Sequence, residues 1–513
     1  MGLQGMRAGA RAAALGLALV ASGCSDGDVG GEAGRPGTRQ LTVVVLVVDS
    51  LMPHEITAAT PSLMALKAGG TFYAESRAVF AAETIPNHVA MMTGVYPDRS
   101  GIPSNGFIDF SVAEPEERSL DLPEELTANT LFTWIDRKCT GELDLPTAAT
   151  LSKRYLHAIF AGDAADAERP NDDPAVDNVA PDSHWDPTSS PAYIPDPDEH
   201  TPDLFTMQQA LSQLPAADFH FINLGDVDRS AHAGGELPRQ LVLTATDLQV
   251  GELVAALQDA GRWDRTVLFL VSDHGMDYTL PGPLDAVSTQ ATLDALGACF
   301  TPMQAVAQGG TESIYVMDRA LPLASRQAAL RAARSCILGT ADCSTLCAGA
   351  TRPAGADAIE AGWYTAFDAL DVPGNMPASL ASMHPNLGDL VLVAGAGAKF
   401  GEPDVTSPGA QIPGNHGHPA TLRNTFIVAG GSPWVKRAQV VAASAPAADL
   451  DRLPEQSENV DIAPTVAWLL GLSLEGSEFP DGIGFDGRVL REAFTQFDAD
   501  PAAASPTACG RFD

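Results

Sequence analysis

Apolar runs recur along this chain at Leu41–Val48, Phe219–Leu224, Thr266–Ser272, Leu390–Ala394 and Phe426–Ala429, each closing on polar or turn-forming residues. They lack the strict alternation of half-exposed strands and predict strands buried on both faces. Between them lie helical patterns at Asn87–Thr93, Ala245–Ala260 and Val460–Leu470, the last interrupted early by Pro464. The alternation predicts an α/β fold, a mostly parallel sheet sandwiched by helices. Such sheets bind ligands at the carboxyl ends of their strands, and Asp49, Asp228 and Asp273 stand there.

The flanks read differently. Arg7 and Arg11 precede the apolar stretch Ala12–Ala21, which is too short to span a bilayer and is followed by Ser22, Gly23 and Cys24. These parts predict an export signal over residues 1–23. It resembles a bacterial lipoprotein signal, which implies lipidation of Cys24; Ala21 stands where that pattern usually has Leu, and cleavage without lipidation is the alternative. The implied location is the bacterial cell envelope, lipid-anchored at the outer or plasma membrane and facing the periplasm or exterior. Residues 24–40 are polar and Gly-rich and read as a flexible tether. One catalytic domain is expected over 41–500, with insertions at about 163–203 and 298–374, and a C-terminal tail over 501–513.

With 30 basic against 65 acidic residues the formal charge is −35, which argues against a nucleic-acid duplex partner and against docking on anionic lipid. The same field repels a phosphate ester, so binding one requires local cations, most simply metals. Beyond Cys24 the cysteines are Cys139, Cys299, Cys336, Cys343, Cys347 and Cys509. An even count in an exported chain predicts disulfides, with the pairing open.

Five patches carry the chemistry: Asp49–Ser50, ETIPNH at 83–88, DRSAH at 228–232, SDHG at 272–275 and GNHGH at 414–418. Asp273 and His274 are adjacent at a strand end, where both side chains can converge on one ion with Asp49. Asp228 and His232, four apart, can meet on one helical turn, and His416 completes a three-ligand site. Carboxylates and imidazoles suit divalent metals, most simply a zinc pair, as phosphoryl transfer requires. Any one of these residues alone is equally a hydrogen-bonded strand-end Asp or a core His; together they point to a two-metal hydrolase.

The segment ETIPNHVAMMTGVYPDRSGIPSN, with DRSAH, SDHG and GNHGH, resembles the alkaline phosphatase superfamily, in its type I phosphodiesterase/nucleotide pyrophosphatase branch. The resemblance covers most of Leu41–Leu472. It implies Thr84 as nucleophile of a covalent phospho-threonine reaction. One zinc would be held by Asp49, Thr84, Asp273 and His274, the other by Asp228, His232 and His416. Asn105 matches an asparagine that hydrogen-bonds a phosphoryl oxygen. Independently, Pro86 opens a predicted helix behind Thr84, so backbone amides and the helix dipole would face an anion. Read without its neighbours, Thr84 is a helix cap.

Lys153 resembles a lysine of threonine-using relatives that cleave phosphonates or phosphate monoesters, although Tyr155 stands where those have arginine. The expected substrate is a small-molecule phosphate ester. Alternatives are a phosphomonoesterase or phosphonate hydrolase, and an anchored binding protein with a degenerate site. Sulfatase chemistry is not expected, since Cys139 is followed by Thr, Gly and Glu. Oligomeric state is not legible.

Overall fold

The structure is a computed structural model that describes residues 39–163, 176–195, 199–278, 286–365, 374–401, 414–447 and 451–512. Cys24 and most of the expected signal and tether lie outside the described residues. Arg39–Asp513 forms one compact unit.

Strand Thr42–Val48 explains the architecture. Its seven residues are all buried. Val43, Val45 and Val47 enter one core layer with helices Thr84–Thr93, Leu131–Lys138 and Ile462–Leu470. Val44, Leu46 and Val48 enter the opposite layer with helices Pro61–Gly69, Asp203–Gln213 and Glu236–Asp259. A two-residue period with both faces covered turns an unbroken apolar run into a central strand. Each fully buried Val or Leu contributes roughly 1.5–3 kcal/mol over its exposed state.

Among the described residues the main sheet has eight strands in the order Gln439–Val441, Thr71–Tyr73, Phe426–Ala429, Thr266–Val271, Thr42–Val48, Phe219–Leu224, Thr147–Leu151 and Ser183–Trp185. Only Phe426–Ala429 runs antiparallel to its neighbours. Ser183–Trp185 adds an edge strand within a stretch whose Pro and Asp content reads as loop. Leu390–Ala394 is a strand, but it belongs to a second, antiparallel sheet ordered Met303–Ala307, Thr311–Val316, Leu390–Ala394 and Ile359–Tyr364. That cap therefore draws a strand from beyond the expected 298–374 insertion, and it packs its own core with helix Leu323–Ile337.

Two helices begin earlier than their periodicity suggests. Thr84–Thr93 and Glu236–Asp259 carry Pro86 and Pro238 in their first turns, where a missing N–H costs nothing. Exposed Leu237 and Leu241 blur the pattern of the second. The bridges are Cys139–Cys509, Cys299–Cys347 and Cys336–Cys343. The C-terminal stretch is tied down by the first of these and by pairing of Arg511–Phe512 with Arg39–Gln40. Among the described residues no helix is long and apolar enough to cross a membrane.

Candidate metal centre and nucleophile

Four adjacent strands deliver the site. Asp273 and His274 follow Thr266–Val271, Asp49 follows Thr42–Val48, Asp228 lies on helix Asp226–Gly234 behind Phe219–Leu224, and Lys153 follows Thr147–Leu151. The chain breaks from the sheet at these ends, which lets side chains from four strands turn onto one rim. Thr84 is the first residue of its buried helix rather than its cap, and Glu83 takes the cap position.

The predicted residues come together. Thr84 Oγ1 lies 3.4 Å from His274 Nε2. His274 Nε2 is 3.3 Å from Asp273 Oδ2 and 3.7 Å from Asp49 Oδ1. His274 and His416 stack with ring centroids 3.8 Å apart, and His232 meets His416 edge-on at 4.9 Å. Asp228 Oδ1 is 3.4 Å from His232 Nε2 and 3.8 Å from His416 Nε2. His232, 44% exposed, marks the open side.

Donor atoms of Asp228, His274 and His416 lie within 4.8 Å of one another, as do those of Asp49, His88 and Asp273. This grouping differs from the one the resemblance implies, because His274 reaches both sets. His88 donates from Nδ1 to the Thr84 carbonyl at 2.8 Å and accepts from Asn223 Nδ2 at 3.0 Å. Both its nitrogens are thus engaged, in keeping with a structural role.

The donor chemistry fits divalent cations. Asp49 Oδ1, Asp228 Oδ1 and Asp273 Oδ2 are buried and take no hydrogen bond among the described residues. Three bare carboxylate oxygens in one buried cluster are costly unless a cation faces them. Nδ1 of His274 and His416 donates to the carbonyls of Gly275 and Ala82, both at 2.9 Å. Those bonds fix the tautomer and leave each Nε2 lone pair as a ligand. Burial lowers both imidazoles below their usual range, His416 strongly. Burial, and then the charge of Asp273, raise Asp49 to about 6. Burial likewise raises Asp273 to about 6.

Lys153 sits within the carboxylates, its Nζ 2.7 Å from Asp49 Oδ2 and 3.0 Å from Asp228 Oδ2. Burial works against its charge, but Asp228 and Asp49 outweigh it and hold the ammonium well above its ordinary value. Burial would raise Asp228 too; Lys153 and the imidazoles of His232 and His416 reverse this and hold it well below the carboxylate range. Asn105 Oδ1 accepts the Ile85 N–H at 2.8 Å, so the amide nitrogen is the end of that side chain left to donate.

Asn223 and Arg239 escaped the sequence reading. Asn223 Nδ2 reaches Asp49 Oδ2 at 3.3 Å; a lone amide inside an apolar strand was the available signal. Arg239 is fully buried against Ser50, the residue after Asp49, and nothing in its local pattern marked it. Asp226 is occupied elsewhere, 2.8 Å from His200 Nε2. His418 Nε2, on the same loop as His416, lies 3.2 Å from Asp277 Oδ2.

Fold and rim together define an α/β protein with a buried carboxylate and imidazole cluster shaped for divalent cations. A sequence profile of the Type I phosphodiesterase / nucleotide pyrophosphatase family matches residues 43–419, and the chain belongs to that family, within the alkaline phosphatase superfamily. Rat ectonucleotide pyrophosphatase/phosphodiesterase family member 1 is 26% identical over 227 residues, covering 44% of this chain and 22% of that protein. Mouse family member 3 is 25% identical over 225 residues, covering 43% of this chain and 22% of the relative. The chain therefore spans only about a fifth of the length of these curated relatives. Murine ectonucleotide pyrophosphatase/phosphodiesterase 5, as an inactive threonine-to-alanine variant in complex with AMP, superposes with a TM-score of 0.61 at 14% identity, covering 89% of this chain and all of that one. The human counterpart gives 0.59 at 14% identity, covering 88% of this chain and 100% of the other. At this identity the likeness speaks for the fold.

Proposed function

We propose that this protein hydrolyses small phosphate esters of the phosphodiester or nucleotide pyrophosphate type, through a covalent phospho-threonine at Thr84 beside two divalent ions, most simply zinc. The observation that carries the proposal is the Thr84 hydroxyl, at the start of a buried helix and 3.4 Å from His274, beside three carboxylates that each present a bare buried oxygen. The solved murine relative, inactive as a threonine-to-alanine variant and bound to AMP, supports a threonine-dependent site with room for a nucleotide.

Asp49, Thr84, Asp273 and His274 would hold one ion, and Asp228, His232 and His416 the other. When bound, such ions acidify a coordinated hydroxyl or water and neutralise charge on the attacking and leaving oxygens. Thr84 Oγ1 gives up its proton to solvent and attacks phosphorus in line while the bond to the leaving oxygen breaks and that oxygen takes up a proton from solvent. Water then attacks from the opposite face, the bond from phosphorus to Thr84 Oγ1 breaks, and the hydroxyl regains a proton. Asn105 Nδ2, the Thr84 amide at the helix N-terminus and the Lys153 ammonium face the negative charge on the equatorial oxygens. Thr84→Ala should abolish turnover of a nitrophenyl nucleotide diester while zinc content stays unchanged; full activity in that variant removes Thr84 from the reaction.

One observation favours a second reading, a phosphomonoesterase or phosphonate hydrolase: the buried Lys153 cation supplies the extra positive charge that a dianionic terminal phosphoryl group needs. Tyr155, in place of arginine, supports the diester reading. Rates on a monoester and a diester before and after Lys153→Ala separate the two. An anchored ligand-binding protein is the outcome if purified protein carries no metal and turns over neither ester. We also read residues 1–40 as an export signal with lipidation at Cys24 and a tether, supported by Arg7, Arg11 and the short apolar run before Gly23. Radiolabelled palmitate incorporation lost in Cys24→Ala tests that location.

A further inference from the structure

Glu83, immediately before the proposed nucleophile, is completely buried. Among the described residues no Lys, Arg or His pairs with it. Its two oxygens go to different parts of the molecule. Oε2 accepts the backbone N–H of Asn105 at 2.7 Å, and Oε1 accepts the hydroxyl of Thr311 at 2.8 Å. Asn105 lies at the base of the hairpin formed by Gly106–Asp109 and Glu116–Ser119, and Thr311 opens the second strand of the cap sheet. The residue before Glu83 is fixed as well: Ala82 bridges Gly417 by backbone pairing, and its carbonyl accepts the His416 Nδ1–H.

A buried carboxylate bonded only to neutral donors is expensive, and two apolar side chains of matching shape would fill the place at lower cost. What the carboxylate supplies is a defined length and two acceptors at fixed angles. Asn105 is held at two points as a result, its N–H by Glu83 and its Oδ1 by the Ile85 N–H. Both anchors belong to the turn that carries Thr84. The distance between the hydroxyl and the Asn105 amide nitrogen is thus set within one hydrogen-bonded ring, and Thr311 joins the cap to that ring.

We propose that Glu83 is a positioning residue that holds the Asn105 amide at the phosphoryl group and couples the cap strand to the nucleophile turn. The inference rests on the reading of Thr84 and Asn105 given above. A donor aimed at charge that develops in the transition state acts on kcat, so its loss of alignment should show there and much less in KM.

The test is a double-mutant cycle on the metal-loaded full-length protein with a nitrophenyl nucleotide diester. Glu83→Ala should lower kcat about 10-fold or more with KM changed less than about 3-fold. Glu83→Gln retains an acceptor for the Asn105 N–H and a group that the rotatable Thr311 hydroxyl can meet, and should stay within about 3-fold of wild type. The pair Glu83→Ala/Asn105→Ala should be no slower than Asn105→Ala alone, because Glu83 works through that amide. Multiplicative losses in the double variant, or wild-type kcat in Glu83→Ala, overturn the inference. Should Glu83→Ala fail to fold, Thr311→Val replaces it in the same cycle and must likewise show no further loss on top of Asn105→Ala. Thr84→Ala run in parallel keeps the two readings apart: turnover in that variant sinks the proposed function, whereas a dead Thr84→Ala with a fully active Glu83→Ala sinks only the role of Glu83.

Discussion

Arg239 grips Ser50 twice, donating to its hydroxyl and to its carbonyl oxygen, both at 2.6 Å. Ser50 has φ +61°, a left-handed conformation that a non-glycine residue adopts at a cost of about 1 kcal/mol. That turn directs the Ser50 N–H to Asp273 Oδ1 at 3.0 Å and sets the exit of the chain from Asp49. Glu55 closes the far side with two bonds to the same guanidinium at 2.7 and 2.6 Å. A buried arginine thus props two candidate ligand carboxylates through one strained residue. Arg239→Leu should cost about 3–5 kcal/mol in urea unfolding, since Glu55 is left buried without its counter-charge. Zinc retained after gel filtration should fall in the same variant, whereas Arg239→Leu/Glu55→Leu should recover part of the stability but not the metal.

Lys153 occupies the space between Asp49 and Asp228 and is the cation that offsets their burial. In Lys153→Met the two carboxylates face each other without that ammonium. The apo protein, prepared with EDTA, should lose about 2 kcal/mol or more of stability, and a divalent ion should restore more of it than in wild type. Thermal melts with and without zinc read this out; an equal zinc-induced rise in Tm for both proteins would remove Lys153 from the charge balance of the site.

Cys139 and Cys509 close a loop with a sequence separation of 370 residues and tie the C-terminal stretch to the helix that ends at Lys138. Cys139→Ala/Cys509→Ala should cost about 2–5 kcal/mol, with turnover at low temperature unchanged. Denaturant titration under oxidising conditions checks it.

Glu312, in the cap, is raised to about 8 by burial, with only the Thr289 hydroxyl working against the shift. The folded state therefore holds this proton more tightly than the unfolded chain does. The stabilisation is complete below the unfolded value of 4.5 and is lost as pH rises through about 8. Glu312→Gln should flatten that decline and exceed wild type by at least about 1 kcal/mol at about pH 9, measured by denaturation across the range.

Much of this was legible in the chain. Parallel strands buried on both faces announce themselves as unbroken apolar runs, so Thr42–Val48, Phe219–Leu224 and Thr266–Val271 were readable, with the acidic residues that end them. Leu390–Ala394 was readable as a strand but not as part of the cap, because an apolar run does not say which sheet completes it. The supporting residues were harder to see. Arg239, Glu83 and Asn223 act through partners distant in sequence, from 22 residues between Glu83 and Asn105 to 228 between Glu83 and Thr311. Hydrogen bonds over such separations leave no local periodicity.

The cap meets the loop that carries His416 backbone to backbone. The Gly310 N–H donates to the His416 carbonyl at 2.7 Å, and a Cβ at Gly310 would stand 2.3 Å from the His418 nitrogen. Nothing larger than glycine fits between the two segments. Transplanting a cap from a relative to alter the proposed ester specificity will therefore succeed only if the stretch from Asn415 to His418 travels with it, because the graft's seam runs through the candidate site itself.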